Sequence, residues 1–73
     1  MSERITDETI TMIVQELCFD SSVVIDVGSR STAYRTRNRV NEYLRWEGYN
    51  WRVRLIIRDD RFPYVLESEA IND

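Results

Sequence analysis

The sequence predicts a two-layer α+β domain, with two helices packed on one face of a three-stranded mixed sheet in the order α-β-α-β-β. Three observations carry this expectation. Ile10, Ile13, Val14 and Leu17 recur at the period of a helix. Trp51, Val53, Leu55 and Ile57 alternate with Arg52, Arg54, Ile56 and Arg58 at the period of a strand. The chain has 73 residues, which is one small domain with no room for a second core. At this size only about 60% of the unfolded surface is buried, so stability is marginal. The ordered part should run from about residue 5 to 67, with 68–73 as a frayed tail.

The first helix is expected from Asp7 to Phe19. Thr6 can cap it by accepting an orphan backbone N–H, and Asp7 and Glu8 suit the positive end of the helix dipole. Ile5 and Ile10 have the spacing of a hydrophobic staple. Asp20-Ser21-Ser22 should end the helix. Val23 to Val27 is a short β-branched run between Ser22 and Gly28, which reads as an interior strand.

Ser31 or Thr32 can cap a second helix, from about Thr32 to Glu47. Its apolar stripe is Ala33, Val40, Tyr43 and Leu44, and Gly48 suits the left-handed residue that closes it. The strand from Asn50 to Arg58 follows, then a polar turn, Asp59-Asp60-Arg61. Tyr64 to Glu67 is the returning strand, with Pro63 at its start, where a missing N–H does least harm. The strand–helix–strand unit should form a parallel pair and the last two strands an antiparallel hairpin. One sheet face would then be bare, carrying Arg52, Arg54, Ile56 and Arg58. A core this thin invites self-association through that face.

Composition excludes most chemistry. All ten basic residues are Arg, with no Lys and no His. A His-based triad and a Ser-Lys pair are both impossible, and no zinc site of the usual N/S type can come from one Cys. Gly28 and Gly48 stand alone, so there is no Gly-rich phosphate loop. Asp59 and Asp60 sit side by side in a turn and have no third ligand nearby. Cys18, beside Leu17 and without a basic neighbour, reads as a small core hydrophobe. Catalysis, metal binding and cofactors are therefore not expected. Apolar runs stop at three residues, as in Val23-Val24-Ile25, so no membrane span is expected. The N-terminus lacks a signal-peptide pattern, and a lone Cys suits the cytoplasm.

Charge is segregated along the chain. Residues 1–29 hold one Arg against six acids, residues 30–61 nine Arg against four, and residues 62–73 three acids alone. The net charge of −3 conceals this basic middle. Helical spacing places Arg35, Arg39 and Trp46 together, while strand alternation places Arg52, Arg54 and Arg58 together. Guanidinium groups bind phosphate bidentately, and aromatic rings stack on bases. The leading expectation is nucleic-acid binding, with Arg35, Arg39, Arg52, Arg54 and Arg58 on phosphates and Trp46 as a stacking platform. Acidic ends and a basic middle can also simply pair with each other in the fold.

The alternative is a protein-interaction module, since Arg, Trp and Tyr are also hot-spot residues. Small size and missing catalytic parts suit a dimeric inhibitor or adaptor encoded by a virus or mobile element. Unpaired, coplanar arginines on a bare face would favour nucleic acid. Arg52, Arg54 and Arg58 bridged to acids of the same chain or of a dimer mate would count against nucleic acid.

The stretch from Tyr34 to Arg58 resembles in shape part of the C-terminal domain of bacterial translation initiation factor three, a family that binds ribosomal RNA. Arg37 and Arg39, Gly48, and the strand Arg52-Val53-Arg54-Leu55 carry the likeness over about a third of the chain. The chain has Asp59-Asp60-Arg61 where that family has an Arg-Gly-Arg-Glu run, and it lacks the following helix. No functional residue is carried over.

Overall fold

The computed structural model describes residues 5–57 and 64–71. Its elements are α1 (Asp7–Asp20), β1 (Ser22–Ile25), α2 (Arg30–Glu47), β2 (Trp51–Ile56) and β3 (Tyr64–Ala70). The α+β class, the element order and the packing of helices on a three-stranded sheet are as the sequence predicts. Arg58, the Asp59-Asp60-Arg61 turn and Pro63 lie outside the described residues.

Both helices begin on side-chain caps. Thr6 Oγ1 accepts from Thr9 N–H at 3.2 Å, and Ile5 packs against the core that holds Ile10. The cap of α2 is Ser29, whose Oγ accepts from Thr32 N–H at 3.2 Å, rather than Ser31 or Thr32. Ser29 has the extended backbone a cap needs, so the helix starts two residues earlier than expected. Thr32 and Thr36 are buried, and Thr36 Oγ1 donates to Thr32 O at 2.8 Å, so its hydroxyl is satisfied inside the helix. Left-handed residues close both helices: Ser21 at φ 64° after α1, and Gly48 at φ 82° after α2.

The strand order is β1-β3-β2, with both pairings antiparallel. This corrects the mixed sheet: β1 and β2 run the same way but do not touch, because β3 lies between them. It also corrects the placing of β1, which is an edge strand and not an interior one. β3 is the longest strand, running to Ala70, so Ser68 to Ala70 belong to the sheet and not to a frayed tail. A strand with seven residues of backbone to satisfy gains most from a neighbour on each side.

Alternation places Val23, Ile25, Trp51, Val53, Leu55, Tyr64 and Leu66 toward the helices. Leu66, at 0% exposure, is the centre of a core completed by Ile10, Ile13, Val14 and Leu17 of α1 and by Ala33, Val40 and Leu44 of α2. Cys18 is exposed and lies outside this core, because the buried stripe of α1 passes through Leu17 and leaves its neighbour facing outward.

The two sheet edges differ. Asn41 of α2 donates Nδ2–H to Val53 O at 3.1 Å and accepts Val53 N–H on Oδ1 at 2.8 Å. A side-chain amide thus stands in for a further strand at the middle of β2. Leu66→Ala is expected to cost about 2–5 kcal/mol, and in a domain this small it should abolish cooperative unfolding in urea. Asn41→Ala should cost about 1–3 kcal/mol by orphaning both Val53 groups, and sedimentation should show concentration-dependent association through β2.

Candidate functional site

The expected site does not assemble on one surface. Arg52 and Arg54 project from the bare sheet face, whereas α2, which carries Arg35, Arg39 and Trp46, packs on the other face. Arg58 lies outside the described residues.

On the bare face the ladder itself decides the electrostatics. Arg52 is registered directly opposite Glu69, and Arg54 opposite Glu67. Their guanidinium groups reach these carboxylates: Arg52 Nε to Glu69 Oε1 at 2.8 Å, and Arg54 Nη2 to Glu67 Oε1 at 2.7 Å. Arg54 Nε adds a second bond to the same Glu67 oxygen at 3.2 Å. The hydrogen bond that Arg54 donates to Glu67, then the charge of Glu67, raises the Arg54 pKa above its ordinary value, with Glu69 adding to the effect. The bare face is therefore locally neutral. In the register three outward apolar side chains, Val24, Val65 and Ile56, form one row across all three strands.

On the helix layer, Arg39 is turned toward α1. Its Nη2 meets Asp7 Oδ1 at 2.6 Å, and its Nη1 donates to Ile5 O. Arg35 is exposed and makes no salt bridge among the described residues. Trp46 is 86% exposed. It lines a groove between α1 and α2 with Ile10, Tyr43, Arg39, Asp7, Glu42 and Glu47. Three carboxylates and one already paired guanidinium surround the indole there, so the groove is acidic.

Two contributors escaped sequence reasoning. Glu67 ends the expected returning strand and Glu69 falls in the expected frayed tail, so neither stands out as a partner for Arg52 or Arg54. The pattern that could have found them is an Arg-x-Arg strand returning as a Glu-x-Glu strand, since a hairpin of suitable length sets the two pairs opposite each other. Among the described residues no cluster of His, Cys, Asp and Glu could hold a metal ion, and no helix is long and apolar enough to cross a membrane.

Compared with known proteins, the chain matches no family model, no curated protein and no solved structure.

The cross-strand pairs make a direct test possible. Arg54→Glu should lower the thermal midpoint by setting two carboxylates opposite each other. Adding Glu67→Arg should recover most of that loss by restoring the pair in reverse. Equal midpoints for the single and double variants would mean that the pair contributes nothing to the fold.

Proposed function

We propose that the chain is a non-enzymatic protein-interaction module, acting in the cytoplasm as a small inhibitor or adaptor. The observation that carries this reading is Trp46, a large aromatic side chain left 86% exposed on a capped helix, at the mouth of a groove floored by Ile10 and Tyr43. Trp and Tyr at a groove are the usual anchors of a protein interface, because they cover much apolar area with little rotamer entropy to lose.

The charges around the expected contacts support a protein partner over nucleic acid. A phosphate at Arg52 or Arg54 would share the guanidinium with Glu69 or Glu67 and so lie close to a carboxylate. A base stacked on Trp46 would bring its phosphates toward Asp7, Glu42 and Glu47. Either approach sets like charges together, which works against capture of a polyanion.

Fluorescence anisotropy with labelled single- and double-stranded oligonucleotides should show no saturable binding at about 0.15 M salt. Affinity capture from the native host should retain a protein partner, and Trp46→Ala should weaken that capture by about 30-fold or more, the loss typical of a hot-spot Trp. Saturable oligonucleotide binding that Arg52→Ala and Arg54→Ala abolish would overturn this reading in favour of nucleic acid.

A further inference from the structure

We propose that the free edge of β1 is a docking site for an extended basic segment of a partner protein, which joins the sheet as an added strand. The inference rests on the reading of the chain as a protein-interaction module, but it uses a surface separate from the Trp46 groove.

The open backbone is the first ground. Ser68 N–H donates to Ser21 O at 2.8 Å, which fixes the ladder phase of β1. The Ser21 carbonyl and the backbone polar groups of Val23 and Ile25 therefore face β3, and Ser22 and Val24 turn theirs away from the sheet. The other edge is stoppered by Asn41, whereas among the described residues no side chain hydrogen-bonds the outer backbone of β1, whose guard is only its four-residue length. Its sequence, Ser22 to Ile25, has no charge and no Pro, and its register runs unbroken without a bulge.

The second ground is the surface beside that edge. Thr9, Met12, Ile13 and Glu16 of α1 form a groove with Ser22, Val23 and Val24. Met12 is 59% exposed on the helix side, and Val24 is 61% exposed. The Val24 side chain belongs to the opposite face of the sheet by strand alternation. A strand laid along β1 would place alternate side chains beside each, so both apolar surfaces would be covered by one extended occupant.

Charge decides what that occupant is. Between Ile5 and Ser29 there are five acids and no base. Asp7 is paired with Arg39, while Glu8, Glu16, Asp20 and Asp26 are exposed and make no salt bridge among the described residues. An incoming strand rich in Arg or Lys would meet opposite charge along this rim. A second copy would not: pairing β1 with β1 about a two-fold axis brings two acidic α1 helices side by side.

The probe is a capped synthetic hexapeptide of alternating Val and Arg, titrated into the isotopically labelled full chain and followed by amide NMR. The Val–Arg peptide should shift the amides of Ser22 to Asp26 and slow hydrogen exchange at Ser22 and Val24. A Val–Glu peptide should bind about tenfold more weakly or worse. Val24→Pro removes an edge N–H without touching the β3 ladder and should abolish docking. Should that variant unfold, Glu16→Arg, at an exposed position, should reverse the preference between the two peptides. Trp46→Ala should leave peptide affinity within about twofold.

Equal binding of the two peptides, or shifts confined to Arg54 and Glu67, would overturn the proposal. So would self-association that moves the Ser22 and Val24 amides without peptide, because a second copy would then occupy the edge. Absence of peptide binding alongside Trp46-dependent capture of a partner would overturn the edge site alone and leave the module reading standing.

Discussion

The fold depends on the insertion of β3 between β1 and β2. Without it, β1 is a four-residue strand with no partner, and the two helices have no continuous surface to cover. β3 satisfies backbone on both sides and supplies Leu66, the buried side chain at the middle of the sheet. Leu66 is opposite Val23 in one ladder and Leu55 in the other, so a single row ties all three strands to the helices. A one-residue slip of β3 would turn Leu66 outward and bring Glu67 into the core, which burial energy forbids. The register is thus fixed by the apolar face, and the register in turn sets Arg52 against Glu69 and Arg54 against Glu67.

That chain of dependence explains how the segregated charge is resolved. The basic middle of the sequence contains β2 and the acidic end contains β3, and folding lays one against the other. In the same way α2 lends Arg39 to Asp7 of α1. Exposed ion pairs of this kind add little to stability. Their larger consequence is for the surface, since they offset the positive charge that the basic middle of the sequence would present to a polyanion.

Local features were legible in the sequence because they are set by neighbouring residues. The Thr6 cap, the Gly48 terminus, the stripe of α1 and the inward set Trp51, Val53 and Leu55 each need only a few positions to declare themselves. Strand order was not legible, because it is decided by pairings across more than forty residues, such as Ser22 with Glu67. The far end of β3 was obscured for a related reason. Ser68 and Ala70 are weak strand formers and hold their place through Ser21 and Trp51, which are remote in sequence. Of the expected site, the choice of Arg52, Arg54 and Trp46 as exposed groups was legible, whereas their ion-pair partners and opposite faces were products of topology.

The same topology leaves a residue of uncancelled charge in one place. Once Arg52, Arg54 and Arg39 are spoken for, Glu8, Glu16, Asp20 and Asp26 make no salt bridge among the described residues. They flank β1, the shortest strand, whose outer backbone makes no hydrogen bond to a side chain among the described residues. An acidic rim around an open strand edge deters copies of itself, because every such contact sets like charges together, yet it attracts a basic strand from another chain. Charge can therefore serve here as both guard and bait: it keeps an otherwise sticky edge from self-pairing while leaving it available to a partner of opposite sign.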